Sequence, residues 1–183
     1  MRIKILLKCF LVGFLVITLF SGCSPAQKSP STPTPTAFPT IQPGDTEHRV
    51  MVNGLERSYL LHIPPGINSQ QSVPVVFVFH GLYIRPIDLQ VGTEIDDFAD
   101  LSSFLVVYPE GVGLSWNVAD IGPGDAIDQN VDELAFVEEI LLNIDTIANI
   151  DPNRIFAIGD SMGGSLVYQL ACEMPETFAA VAS

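Results

Sequence analysis

From residue 48 onward, short apolar runs alternate with stretches of helical period. His48–Val52 and Arg57–Ile63 flank Asn53-Gly54. Both residues of that dipeptide tolerate positive φ, so the pattern predicts two strands joined by a tight hairpin turn. Pro64-Pro65-Gly66 ends the second strand. Pro74–Phe79 is almost continuously apolar, as a strand covered on both faces reads, and it stops at His80-Gly81-Leu82. Pro86–Leu101 carries a broken helical pattern with Ile95, Phe98, Ala99 and Leu101 on one face. Ser103–Tyr108 is a further apolar strand, closed by Pro109-Glu110-Gly111. A long loop, Val112–Asn130, contains Trp116, which could serve as a stacking platform or as a core anchor.

Val131–Ala148 has the clearest helical period, with Val131, Leu134, Val137, Leu141, Ile144 and Ala148 recurring at three and four residues. Asp132, Glu133, Glu138 and Glu139 fall mostly on the other face. Asp151-Pro152 breaks this helix, and Arg154–Ile158 follows as a strand. Ser165–Ala171 is helical, Pro175 stops it, and Phe178–Ser183 begins another strand. A hairpin followed by alternating strands and helices predicts the α/β class: an open, mostly parallel sheet with helices on both faces.

The chain before this region has a different character. Residues 1–22 place Arg2, Lys4 and Lys8 before an apolar stretch from Cys9 to Phe20, the layout of an export signal. The stretch ends Ser21-Gly22-Cys23, which resembles a bacterial lipobox. That resemblance implies cleavage before Cys23 and diacylglycerol attachment to its sulfur, with an ordinary secretory signal or an uncleaved anchor as alternatives. Residues 23–46 are rich in Pro, Ser and Thr, cannot pack a core, and are expected to be an extended tether. A folded domain is expected over 47–183.

Charge narrows the partners. The chain has 8 Lys and Arg against 21 Asp and Glu, for a net charge of −13. Beginning at Cys23 removes three basic residues and no acidic ones, which leaves −16. That argues against nucleic acid and against basic-patch binding to anionic lipid. Cys9, Cys23 and Cys172 offer neither a disulfide framework nor zinc-ligand spacing, and Cys172 reads as a small buried residue. Asp128, Asn130, Asp132 and Glu139 fall on EF-hand offsets, but Glu133 stands where that loop needs glycine, so no metal is expected.

The chemistry concentrates at Gly159-Asp160-Ser161-Met162-Gly163-Gly164, between an apolar strand and a helix. Strand, G-x-S-x-G turn and helix is the context of a nucleophile elbow. The turn strains the serine backbone, and Gly159 and Gly163 relieve the crowding around it. The hydroxyl is then presented beside a helix N-terminus, whose N–H groups favour an oxyanion. A Gly/Ser-rich turn that merely links the two elements is the alternative.

Three segments carry a family resemblance: Arg57–Gly66; Val76–Leu82 with Phe104–Gly111; and Asp151–Gly164 continuing through Leu170–Ala182. Together they resemble the α/β-hydrolase fold, and more narrowly its secreted esterases of the polyhydroxybutyrate depolymerase and feruloyl or acetylxylan esterase group. The resemblance implies an N-terminal portion of that fold, no cofactor, and ester substrates including polyesters or plant cell-wall glycan esters. It makes Ser161 the nucleophile and the backbone N–H groups of Met162 and Leu82 the oxyanion donors. His80 and Gly81 would shape the oxyanion loop, and Gly159, Gly163 and Gly164 would form the elbow.

One departure stands out. In this fold the triad runs serine, acid, histidine along the chain, whereas His48, His62 and His80 all precede Ser161. His48 and His62 read as surface or strand residues of the hairpin. Glu173 and Glu176 lie too far along the helix to be triad acids. The expectation is therefore the N-terminal part of a longer exported serine esterase, anchored through Cys23 or secreted, with base and acid outside these residues. The competing reading is a non-catalytic surface lipoprotein that binds a glycan or polymer on a degenerate hydrolase scaffold.

Overall fold

A computed structural model describes residues 41–68, 70–118 and 123–183. The export signal, Cys23 and the tether up to residue 40 lie outside the described residues. Six strands form one sheet: β1 (Gly44–Val52), β2 (Leu55–Ile63), β3 (Val73–Phe79), β4 (Leu105–Pro109), β5 (Ile150–Gly159) and β6 (Ala180–Ala182), in the order β1-β2-β4-β3-β5-β6. β1/β2 and β2/β4 pair antiparallel, while β3/β4, β3/β5 and β5/β6 pair parallel. The expected sheet, mostly parallel with an antiparallel opening hairpin, is the one observed.

At the hairpin turn Asn53 and Gly54 both take positive φ, 49° and 88°, as a two-residue turn matched to strand twist demands. β1 begins at Gly44, inside the stretch expected to be tether. Gly44, Asp45 and Thr46 carry no apolar side chain, yet they pair with Ile63, His62 and Leu61 and continue the ladder.

Helices cover both faces. α1 (Pro86–Thr93) and α2 (Ile95–Ser102) follow β3, and with Val76, Val78, Val106 and Tyr108 they form one core layer. α3 (Asp125–Asp128) is a single turn. α4 (Glu133–Asp145) and α5 (Met162–Glu173) pack on the alternate strand residues Val75, Phe77, Phe79, Leu105 and Val107, which point to the opposite face. β3 therefore has β4 on one side and β5 on the other, and its following helices lie on the face opposite to α5. That reversal is a topological switch point, and in open α/β sheets ligands bind outside the carboxyl ends of strands at such a point. The ends of β3 and β5 carry His80-Gly81-Leu82 and Asp160-Ser161.

Several sequence expectations are corrected. In α2 only Ala99 is buried, whereas Phe98 is 63% and Leu101 85% exposed. On a 100° wheel Ile95 and Ala99 lie 40° apart, while Leu101 falls on the far side, so the apolar stripe is narrower than the run of letters suggests. In α4 the buried face is Glu133, Phe136, Val137, Ile140 and Ile144, and Leu134 and Leu141 are only partly buried. Glu133 is thus a core residue rather than part of a solvated face, and Asp132 caps the helix by accepting from Ala135 N. Cys172 is exposed, because α5 buries Gly163, Leu166, Val167 and Leu170 and turns Ser165, Tyr168 and Cys172 outward. Trp116 is fully buried and is a core anchor.

Candidate active site

Ser161 sits between the end of β5 and the start of α5 with φ 50° and ψ −112°, and it is exposed. A non-glycine residue with positive φ is strained unless its surroundings over-determine it. Here they do. Asp160 N donates to Phe79 O at 3.0 Å, Gly163 N to Asp160 O at 2.8 Å, and Ser165 N to Ser161 O at 3.1 Å. A Cβ on Gly159 would overlap the Gly163 carbonyl, and one on Gly163 would overlap the carbonyl oxygens of Phe79 and His80. A Cβ on Gly164 would come within 3.1 Å of Gly159 O. The turn closes because these positions carry no side chain.

The loop after β3 lies against this elbow. A Cβ on Gly81 would stand 3.3 Å from Ser161 Cβ and 2.8 Å from Asp160 Oδ2. Tyr83 N donates to Leu114 O at 2.8 Å and Ile84 N to Gly81 O at 3.1 Å, which fixes the turn on both sides of Leu82. The N–H groups of Leu82 and Met162 have no acceptor among the described residues. Two backbone donors without an acceptor among the described residues thus lie on adjoining loops, one on the residue after Ser161 and one on the residue after Gly81, which itself approaches Ser161. This arrangement can hold a developing negative charge on an acyl oxygen.

His80 is fully buried and both ring nitrogens are engaged. Gly111 N donates to Nε2 at 3.0 Å, which makes Nε2 an acceptor; Nδ1 therefore carries the proton and donates to Gly81 O at 2.8 Å. Burial holds this ring below the ordinary histidine pKa, against the upward pull of the Gly81 carbonyl. Trp116 Nε1 donates to His80 O at 2.7 Å, and its ring lies 4.6 Å from the imidazole. His80 is consequently tied into the loop and cannot take a proton from Ser161.

His48 and His62 lie on the hairpin, on β1 and β2. Three strand spacings separate β2 from β5, about 14 Å, whereas a general base must come within about 3 Å of the hydroxyl. Glu173 and Glu176 are exposed at the far end of α5 and beyond it.

A second layer, which the sequence pattern does not reveal, supports the loop that carries Gly81 and Leu82. Arg57 and Glu133 are 3% and 2% exposed and form an ion pair at 2.9 Å. Glu133 Oε1 accepts from Asn117 N at 3.0 Å, Arg57 reaches Glu110 O at 3.3 Å, and its guanidinium lies 4.0 Å over the Phe136 ring. Burial pushes the Glu133 carboxyl up, while the charge of Arg57 and the Asn117 N–H oppose that shift. The pair clamps both ends of the segment from Glu110 to Asn117, which in turn holds His80 through Gly111 and Trp116. One signal was legible: Arg57 shares the inward period of Tyr59, Leu61 and Ile63.

Cavities of about 370 Å³ (Arg57, Gln129, Asp132) and 270 Å³ (Tyr59, Arg85, Glu110) open on the hairpin side. Neither includes Ser161, which lies on the open surface at the strand ends. The strand-end constellation is the candidate site on grounds of chemistry rather than depth.

Residues 57–183 match the profile of the family described as Esterase PHB depolymerase. The chain is 30% identical over 146 residues to the esterase candidate NocK of Nocardia uniformis, covering 79% of this chain and 42% of that one. It is 27% identical over 155 residues to feruloyl esterase D of Neurospora crassa, covering 79% and 50%. Among solved structures, a thermostable esterase superposes with a TM-score of 0.59 at 27% identity, covering 75% of this chain and 40% of the other. The chain thus spans about half the length of the curated relatives it matches.

Proposed function

The chain belongs to the Esterase PHB depolymerase family, and from that premise we propose that it is the nucleophile-bearing part of a serine carboxylic-ester hydrolase. The observation that carries this reading is the strained, exposed Ser161, with unpaired backbone N–H groups on the next residue and in the adjoining loop whose Gly81 approaches it. Ser161 Oγ attacks the ester carbonyl carbon and loses its proton to a base. The carbonyl oxygen becomes an oxyanion that accepts from the N–H groups of Leu82 and Met162. Collapse expels the protonated alcohol and leaves an acyl-serine, which water cleaves to release the acid and restore the hydroxyl. The base is a histidine other than His48, His62 and His80, whose positions and bonds exclude them. Losing one oxyanion donor costs on the order of 3 kcal/mol of transition-state stabilisation.

The substrate class we assign is an ester of a polyester or a plant cell-wall glycan, in keeping with the feruloyl and acetylxylan esterases among the relatives. Export and attachment through a lipidated Cys23, with the proline-rich stretch as tether, belong to the same proposal. Fluorophosphonate labelling of the full-length protein, followed by turnover of methyl ferulate, acetylated xylan and a 3-hydroxybutyrate polyester, tests it. Labelling that is lost in Ser161→Ala is expected. Equal labelling of that variant, or none in the wild type, leaves the non-catalytic binding scaffold as the correct reading. Cys23→Ala is expected to move the protein from the membrane fraction to the soluble one.

A further inference from the structure

Leu82 and Tyr83 form the corner of a four-residue turn, closed by the 3.1 Å bond from Ile84 N to Gly81 O. Tyr83 takes φ 61°, whereas Leu82 lies outside the positive region. A turn with positive φ at its third residue alone ordinarily carries Gly or Asn there, because a side chain crowds the backbone in that conformation. Tyr83 is the one aromatic residue with positive φ among those described. The conformation is held from outside the turn as well, since Tyr83 N donates to Leu114 O at 2.8 Å.

The side chain packs little in return for that strain. Tyr83 is 65% exposed. Among the described residues its ring has no aromatic partner and its hydroxyl no hydrogen bond. Tyr59 and Tyr108, by contrast, are fully buried and donate to Asn143 Oδ1 at 2.6 Å and Asp96 Oδ1 at 2.7 Å. Single exposed apolar side chains are ordinary, but one held out by a strained backbone points to function. The position of Tyr83 says which. It directly follows Leu82, and its Cα is at most about 7 Å from that of Gly81, where a Cβ would stand 3.3 Å from Ser161 Cβ.

We propose, on the esterase reading of Ser161, that Tyr83 is a specificity-determining residue whose ring packs against an aromatic ring of the acyl group. A carbonyl oxygen held by Leu82 N–H stands beside the residue that carries the phenol, so the acyl substituent leaves the carbonyl within reach of that ring. Aromatic rings attract one another offset or edge-on beyond what burial alone supplies, whereas an alkyl chain gains only the burial. Two torsions position a tyrosine side chain, so fixing it costs little entropy. The turn bonds hold its backbone in place before any substrate arrives. Aryl-acyl esters are thereby favoured over the alkanoyl esters of a polyester.

The test is the ratio of kcat/KM for methyl cinnamate to that for methyl butyrate, measured on the full-length protein. Tyr83→Asn keeps a residue that tolerates positive φ, and it should lower this ratio about 2- to 12-fold, the worth of one aromatic pair. Tyr83→Phe retains the ring and should hold the wild-type ratio. So should Tyr168→Asn, which removes an exposed tyrosine from α5. Tyr83→Gly relieves the positive φ and should melt at or above the wild-type temperature. An unchanged ratio in Tyr83→Asn overturns the proposal, as does an equal fall in Tyr83→Phe. A lower Tm for Tyr83→Gly would make the ring a structural element and overturn it too. So would a Tyr83→Asn effect confined to acetyl esters of a pyranose against methyl acetate, which would put the ring-bearing group on the alcohol side. Absence of turnover of every ester by the wild type sinks the esterase reading and this inference together, whereas turnover with an unchanged ratio sinks the inference alone.

Discussion

Replacing Ser161 by glycine is expected to stabilise the fold while removing its reactive hydroxyl. Ser161 has φ 50° and ψ −112°, and residues held in such regions carry about 1–3 kcal/mol of strain. Glycine relieves it but loses about 0.5–1 kcal/mol more than alanine in backbone entropy on folding. Little else changes, since the side chain makes no capping bond to α5 and the residue is exposed. The net expectation is a gain of about 1 kcal/mol for Ser161→Gly. Ser161→Ala keeps the Cβ, and therefore the strain, and should match the wild type. In a chain of this length the glycine variant should melt about 2–4 °C higher. Urea unfolding of the three proteins, with fluorophosphonate labelling in parallel, measures both properties. If Ser161→Gly is no more stable than Ser161→Ala, the elbow is not strained, and the need for glycine at 159 and 163 loses half its basis. The other half, the carbonyl overlap at those positions, would stand separately.

Three further outcomes follow from the layer behind the loop that carries Gly81 and Leu82. Trp116→Phe leaves the buried carbonyl of His80 without its 2.7 Å donor, so unfolding should become easier by about 1–3 kcal/mol; labelling of Ser161 should slow as the loop loosens, and an unchanged urea midpoint would refute this. Arg57→Met alone strands the Glu133 carboxylate and should cost about 3–5 kcal/mol, whereas the double variant with Glu133→Leu should recover most of that loss. A double-mutant cycle in urea decides, and a double variant no better than the single one contradicts the pairing. The His80 ring is held below the ordinary 6.5 by burial. The unfolded chain therefore takes up a proton that the folded one refuses, and stability contributed here is present above 6.5 and lost as pH falls below it. At about pH 6.5, where an ordinary histidine is half protonated, ring ¹⁵N spectra should show His80 mainly as the neutral Nδ1–H tautomer; a half-protonated or imidazolium signature there would refute the assignment.

The features legible in the sequence are those written in apolar period or forced by backbone sterics. The Pro74–Phe79 run, the Asn53-Gly54 turn and the glycines around Ser161 each admit few conformations, and each takes the expected one. Hidden features are polar residues whose burial depends on a distant partner. Glu133 reads as the start of a solvated face until Arg57, the Asn117 N–H and the Phe136 ring close around it. Gly44, Asp45 and Thr46 read as tether because the ladder to Ile63, His62 and Leu61 gives them order without apolar side chains. Conversely, Phe98, Leu101 and Cys172 read as core and face outward, because composition does not say which side of a helix meets the sheet.

The same division runs through the candidate site. Ser161 and its glycines can be found from five letters and their flanks, but the neighbour that gives the serine something to work with comes from strand order. β3 and β5 are adjacent although β4 comes between them in the chain, so Gly81 and Leu82 arrive beside Ser161 by sheet pairing. What holds that loop is a run of buried polar contacts: Arg57 to Glu133, Glu133 to Asn117, Trp116 to His80, and Gly111 to His80. Arg57, Glu133, Trp116 and His80 are all buried, whereas Ser161 is exposed. An oxyanion donor is effective only if it does not have to reorganise as charge develops, and a backbone N–H can be fixed only by fixing the loop that carries it. The chain places its buried charge behind the loop, where rigidity is needed, and leaves Ser161 itself exposed.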